Sequence, residues 1–91
     1  MSEKFWFKVE TNKDEDGTYH YHGSSSLSLE QLITVLQKNE FIRLDDLLYM
    51  ERGTYKEWAE WDKALEPTVF INPKYVISVM PYKGDPRLVA K

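Results

Sequence analysis

The sequence predicts an α+β domain: a strongly bent antiparallel sheet of about five strands with one or two short helices. Three observations carry that prediction. Apolar and polar residues alternate over residues 4–11 and 18–22, as half-buried strands require. An apolar stripe at spacings of three and four runs through Leu29, Leu32, Ile33 and Leu36, as a core-facing helix requires. The apolar run Phe41 to Met50 carries Asp45-Asp46 in its middle, which asks for a bend or a bulge. At 91 residues the chain has room for one core, so residues 1–91 are read as a single domain, with 83–91 as a mobile tail.

Phe5, Phe7 and Val9 fall on one face of the first strand, and Lys4, Trp6, Lys8 and Glu10 on the other. The polar run Asn12 to Gly17 ends that strand, and Tyr19 and Tyr21 then alternate with Thr18, His20 and His22, which predicts an antiparallel hairpin. After Gly23 and the serines at 24–26, Ser28 and Gln31 form a capping box, with Leu27 placed to staple onto Leu32. Asn39 is the expected left-handed terminator. In the bent strand, Ile42 and Leu44 share a face before the aspartates, and Leu48 and Met50 share one after them. Thr54 and Glu57 read as a second capping box, opening a short helix that stops before Pro67 and lines up Tyr55, Trp58, Trp61 and Leu65. Thr68 to Ile71, the turn Asn72-Pro73 and Lys74 to Tyr82 read as a strand, a tight reversal and a final strand.

The formal charge of −3, from 15 acidic and 12 basic residues without a basic block, argues against a dedicated phosphate-backbone binder. No cysteine is present, so disulfides and thiolate metal sites are excluded and a cytoplasmic location is expected. The start Met1-Ser2-Glu3-Lys4 shows no apolar leader, and Tyr75 to Tyr82 is too short to span a bilayer, so no membrane association is expected.

Asn12 to Gly17 matches the first half of a calcium loop, but the twelfth position is Gly23 where a bidentate glutamate belongs, so an acidic hairpin turn is the simpler reading. His20 and His22 leave a strand on the same side and could share a metal ion, yet two ligands do not make a site, so no metal is expected and solvent-facing strand histidines are the better reading. The aspartates at 45 and 46, the acids of 57–62 and the serines at 24–26 lack the convergence that acid–base or nucleophilic chemistry needs, so no enzyme activity and no cofactor are expected. Trp58 and Trp61, three apart, and Trp6 on the charged face of the first strand are the candidate interaction surface, although packing of the same helix onto the sheet explains Trp58 and Trp61 equally well.

The run Phe70-Ile71-Asn72-Pro73-Lys74-Tyr75-Val76-Ile77-Ser78-Val79-Met80-Pro81 resembles the second signature segment of Sm-like proteins of the bacterial Hfq type. It is also similar to the Asn-Pro strand pair of small flagellar proteins of the FlbD type. The Sm-like resemblance implies a sheet closing into a small barrel, a helix at its open end and edge-to-edge assembly of copies in a ring. Family RNA binding would fall on the turn before the last strand, where Lys74 is the matching basic residue and Tyr75 stands in place of the family's histidine. The function expected is a non-enzymatic binding or assembly module, a homo-oligomer that meets a protein partner through its aromatic surface. The alternative is single-stranded RNA binding by a ring, through Lys74, Tyr75, Tyr82, Lys83 and Arg87.

Overall fold

A computed structural model describes residues 4–14, 17–58, 63–64 and 66–89. The hairpin expected from the first alternation is β1 (Phe5–Asp14) and β2 (Gly17–Ser25), antiparallel with Val9 opposite Tyr21 and Trp6 opposite Ser24. Helix α1 (Leu29–Gln37) begins where the capping box places it. The Ser28 hydroxyl accepts from the Gln31 amide at 3.3 Å, and the Gln31 side chain accepts from the Ser28 amide at 2.9 Å. At the other end Asn39 adopts φ 61°, donating to the Leu36 carbonyl while Glu40 donates to that of Val35. These two bonds satisfy carbonyls that the helix end would otherwise leave open.

Strand β3 (Ile42–Glu51) bends at the aspartates, as its sequence predicts. Between the pairs Ser24–Asp45 and His22–Leu48 it carries one residue more than β2, and Asp46 sits at φ 50°. The bulge is held by side chains. Ser24 donates to Asp46 Oδ2 at 2.6 Å, while Thr68 and Arg43 both donate to Asp45 Oδ1, at 3.0 and 2.9 Å. It also changes the phase of the strand: Ile42, Leu44 and Leu47 join the core, whereas Leu48, opposite His22, is buried on the other face with the exposed Met50.

The helix expected from Thr54 gives way to a strand, β4 (Thr54–Glu57), paired antiparallel with Leu48 to Glu51. Arg52 at φ 54° and Gly53 at φ 82° form the two-residue reversal between them, and a loop with both residues left-handed fits the twist of a hairpin. Trp61 and Leu65, placed on that helix by the sequence reading, lie outside the described residues. Strand β5 (Val69–Ile71) pairs with β3 before the bulge, and β6 (Val76–Pro81) with β1, so these strands are not the mutually paired hairpin that a tight reversal suggests. A 3-10 turn over Pro73–Tyr75, capped by Asn72, carries the chain from one to the other. The segment read as a tail forms a helical turn, α2 (Pro86–Val89), with Pro86 buried.

The six strands run in the order β4-β3-β2-β1-β6, with β5 added to β3. Among the described residues β4 and β6 are the open ends of that order, so the barrel closure implied by the Sm-like resemblance is not made by these pairings. Tyr82 donates its amide to Trp6 at 2.8 Å, which turns the neighbouring position 81 away from β1. Pro81 therefore lacks its N–H on the open side, where no ladder bond is lost. The core gathers Phe7, Val9, Leu32, Ile42, Leu44 and Leu47 on one face of the sheet, under α1 and β5. Gly23 lies opposite Phe7 on that face, and a Cβ there would stand 2.8 Å from the Asp45 carbonyl oxygen, so β2 and the bulge approach this closely only over a glycine. No helix among the described residues is long and apolar enough to cross a membrane.

Candidate binding surface

Toward the β1–β2 turn, the core face of the sheet runs out of helix to cover it and is faced with rings instead. Tyr19 and Tyr21 sit two apart on β2, and their rings meet edge to face at 4.7 Å. Tyr49 and Glu51 sit two apart on β3, and continuing the pairing of His22 with Leu48 brings Tyr49 beside Tyr21. Trp58 follows β4 on the same face and packs against the core. Tyr19, Tyr49, Glu51 and Trp58 line a cleft of about 410 Å³. Lys56, opposite Tyr49, places its ammonium 2.9 Å from Glu51 Oε1.

A second cleft, of about 340 Å³, lies on the other side of Tyr21. Thr11 and Tyr21 form its floor, and Phe41, Phe70 and Tyr75 form its walls. Phe41 and Phe70 are 57% and 62% exposed, fractions far above those of the core and costly for phenylalanine unless something covers them. Each wall carries a cation: Arg43 lies 5.9 Å from the Phe70 ring centre, and Lys74 lies 5.6 Å from that of Tyr75. The Tyr19–Tyr21 contact joins the two clefts into one aromatic surface.

The opposite face is closed by polar ties. His22 Nδ1 and the Tyr82 hydroxyl are 2.7 Å apart, and the hydroxyls of Tyr55 and Tyr82 are 2.9 Å apart. Burial lowers the His22 pKa below its ordinary 6.5, helped by the charges of Lys8 and His20. The three side chains form one chain of hydrogen bonds, His22 to Tyr82 to Tyr55, that ties β2 and β4 to the residue after β6. Burial, together with the Tyr55 hydroxyl, pushes the Tyr82 pKa well above the usual phenol range. Arg87 lies 5.0 Å from the Trp6 ring centre and binds Glu57 and Asp85, each at 2.6 Å. Its hydrogen bond holds the Asp85 carboxyl below the usual range against the opposing effect of burial. At Asp46 burial pushes the pKa up but is outweighed by the Ser24 hydroxyl and the Lys4 ammonium, so it too lies low.

These positions sort the residues singled out from sequence. Trp6, expected to be partly exposed, is 6% exposed because Arg87 and the chain around α2 cover it. Trp58 borders the larger cleft. Lys74 and Tyr75 belong to the smaller cleft's rim, while Tyr82 and Arg87 are engaged on the other face, beyond the far end of β6, roughly 20 Å along the strand. Lys83 is exposed near them. His20 and His22 share a face, with His20 Nε2 3.5 Å from Glu10 Oε2 and His22 Nδ1 2.7 Å from the Tyr82 hydroxyl. Among the described residues no three His, Cys, Asp or Glu side chains converge as a metal site. Sequence reading missed Phe41 and Phe70, which line one cleft, and Tyr49, which lines the other; pairings between strands distant in the chain place all three. Compared with protein-family models, with curated proteins and with solved structures, the chain matches none.

Proposed function

We propose that the protein is a non-catalytic binding module that holds an extended segment of a partner protein across the aromatic surface of its core face. The observation that carries this reading is the pair of clefts joined at Tyr19 and Tyr21, one walled by the largely exposed Phe41 and Phe70. Rings of this kind supply large contact area with few torsions to freeze, and their edges accept a polar backbone as readily as an apolar side chain. Peptide-display selection against the protein tests it. Recovered sequences should bind in a salt-insensitive manner and lose binding on Phe70→Ala or Tyr75→Ala. Binding indifferent to both substitutions would contradict the reading.

The stacking of exposed Lys74 on Tyr75 favours a second reading, in which the smaller cleft takes a base of single-stranded RNA. That reading expects oligonucleotide binding that falls steeply with salt and on Lys74→Ala. The net charge of −3 and the engagement of Tyr82 and Arg87 elsewhere make it the weaker of the two.

A further inference from the structure

The larger cleft differs from the smaller in one respect that bears on its occupant: its rings are accompanied by a carboxylate, Glu51, paired with the Lys56 ammonium. Tyr19, Tyr49 and Trp58 come from β2, from β3 and from the end of β4, and Glu51 lies two residues from Tyr49 on the same face. Ring faces carry partial negative charge and attract a cation by their quadrupole, most strongly for Trp. The carboxylate adds a full charge, and the chain as a whole is negative. Glu51 is already met by the Lys56 ammonium at 2.9 Å, in an exposed ion pair that an incoming cation has to displace.

Resting on the reading of this surface as a protein-binding face, we propose that the cleft of Tyr19, Tyr49, Trp58 and Glu51 receives a methylated lysine side chain of the partner. A primary ammonium is compact and strongly hydrated, and its three N–H donors find few acceptors among rings. A trimethylated ammonium keeps the charge, has no donors to satisfy and presents methyl groups to ring faces, which suits the Tyr19, Tyr49, Trp58 and Glu51 side chains that line the cleft among the described residues. The volume of about 410 Å³ leaves room for the ammonium group and its aliphatic stem in an open cleft. The Lys56 ammonium is then a resident competitor for Glu51, and the site responds to its loss in the opposite direction to loss of the carboxylate.

The test is titration of the full-length protein, followed by the indole N–H resonance of Trp58, with a short peptide carrying trimethyl-lysine. The same peptide with unmodified lysine, the peptide with the neutral tert-butyl isostere and free choline serve as comparisons. The proposal expects the trimethyl-lysine peptide to bind about five-fold or more tighter than the isostere. Glu51→Gln should weaken that binding and Lys56→Gln should strengthen it, both by about two- to five-fold, and both changes lie on the surface, where folding is little affected. Equal binding of charged and neutral peptides, an absence of binding, or a Lys56→Gln variant that binds more weakly would overturn it. Choline binding as tightly as the methylated peptide would overturn the assignment to a protein partner. A display-selected peptide that still depends on Phe70 while no ammonium binds would leave the broader binding function standing and defeat this inference alone.

Discussion

The two faces of the sheet are stabilised in different ways. The core face is built from area: Phe7, Val9, Leu32, Ile42 and Leu44 are all within 1% of fully buried, and each contributes about 1.5–3 kcal/mol by leaving water. On the opposite face Trp6 and Leu48 are buried, Met50 and Met80 are exposed, and the described residues 82–87 are tied to it by the buried Pro86 together with hydrogen bonds, ion pairs and ring contacts. Apolar burial is tolerant of detail, whereas a polar closure depends on each partner being in place. The core face therefore keeps its fold while its outer rings Phe41 and Phe70 stay uncovered, whereas the opposite face holds residues 82–87 through their polar partners.

Several substitutions would break or sharpen this contrast. Phe7→Ala removes the largest fully buried side chain and should cost about 3–5 kcal/mol in denaturant unfolding. Gly23→Ala should cost about 1–3 kcal/mol, because its methyl meets backbone at Asp45 instead of a side chain that can turn away. A smaller loss of about 1–2 kcal/mol is expected for Tyr82→Phe, which leaves His22 and Tyr55 without their shared hydroxyl. If Tyr82→Phe cost as much as Phe7→Ala, the two faces would not differ in kind.

A gentler probe is pH. The folded chain binds the His22 proton less readily than the unfolded chain, so His22 contributes stability above its ordinary 6.5, and that stability drains as the pH falls below this value toward the lowered one. Unfolding midpoints measured across that window should slope downward with acid, and His22→Gln should flatten the slope. The depressed carboxyls of Asp46 and Asp85 act in the same sense much lower, losing their contribution as the pH falls from their ordinary 3.8 through the depressed values. The smallest effect on folding is expected for Pro81→Val, which restores an outward N–H on the open edge of β6 and should show itself in self-association at high concentration.

Much of the core face is legible in the sequence because its signals are local. The β1–β2 alternation, the Ser28–Gln31 box, Asn39 and the aspartates of the bulge each act within a few residues of themselves. The Thr54–Glu57 segment misleads because a capping-box pattern and a strand following a left-handed Arg52-Gly53 turn share the same letters, and pairing with β3 decides between them. The burial of Trp6 and the His22–Tyr82 bond were illegible for another reason. The latter joins residues 60 apart in sequence, and nothing local to either residue announces the other. The aromatic surface proposed for binding lies between these cases, since Tyr19 and Tyr21 are visible as a strand pattern but Phe41 and Phe70 are brought beside them by chain topology alone.

Hydroxyl-radical footprinting of the free protein tests the contrast between the faces most directly. Phe41, Phe70 and Tyr75 should be oxidised rapidly and Trp6 should be protected, with Phe70 and Tyr75 becoming protected once a selected peptide is bound. Rapid oxidation of Trp6 together with protection of Phe41 and Phe70 in the free chain would mean that the exposed surface lies on the other side of the sheet, and would contradict the account.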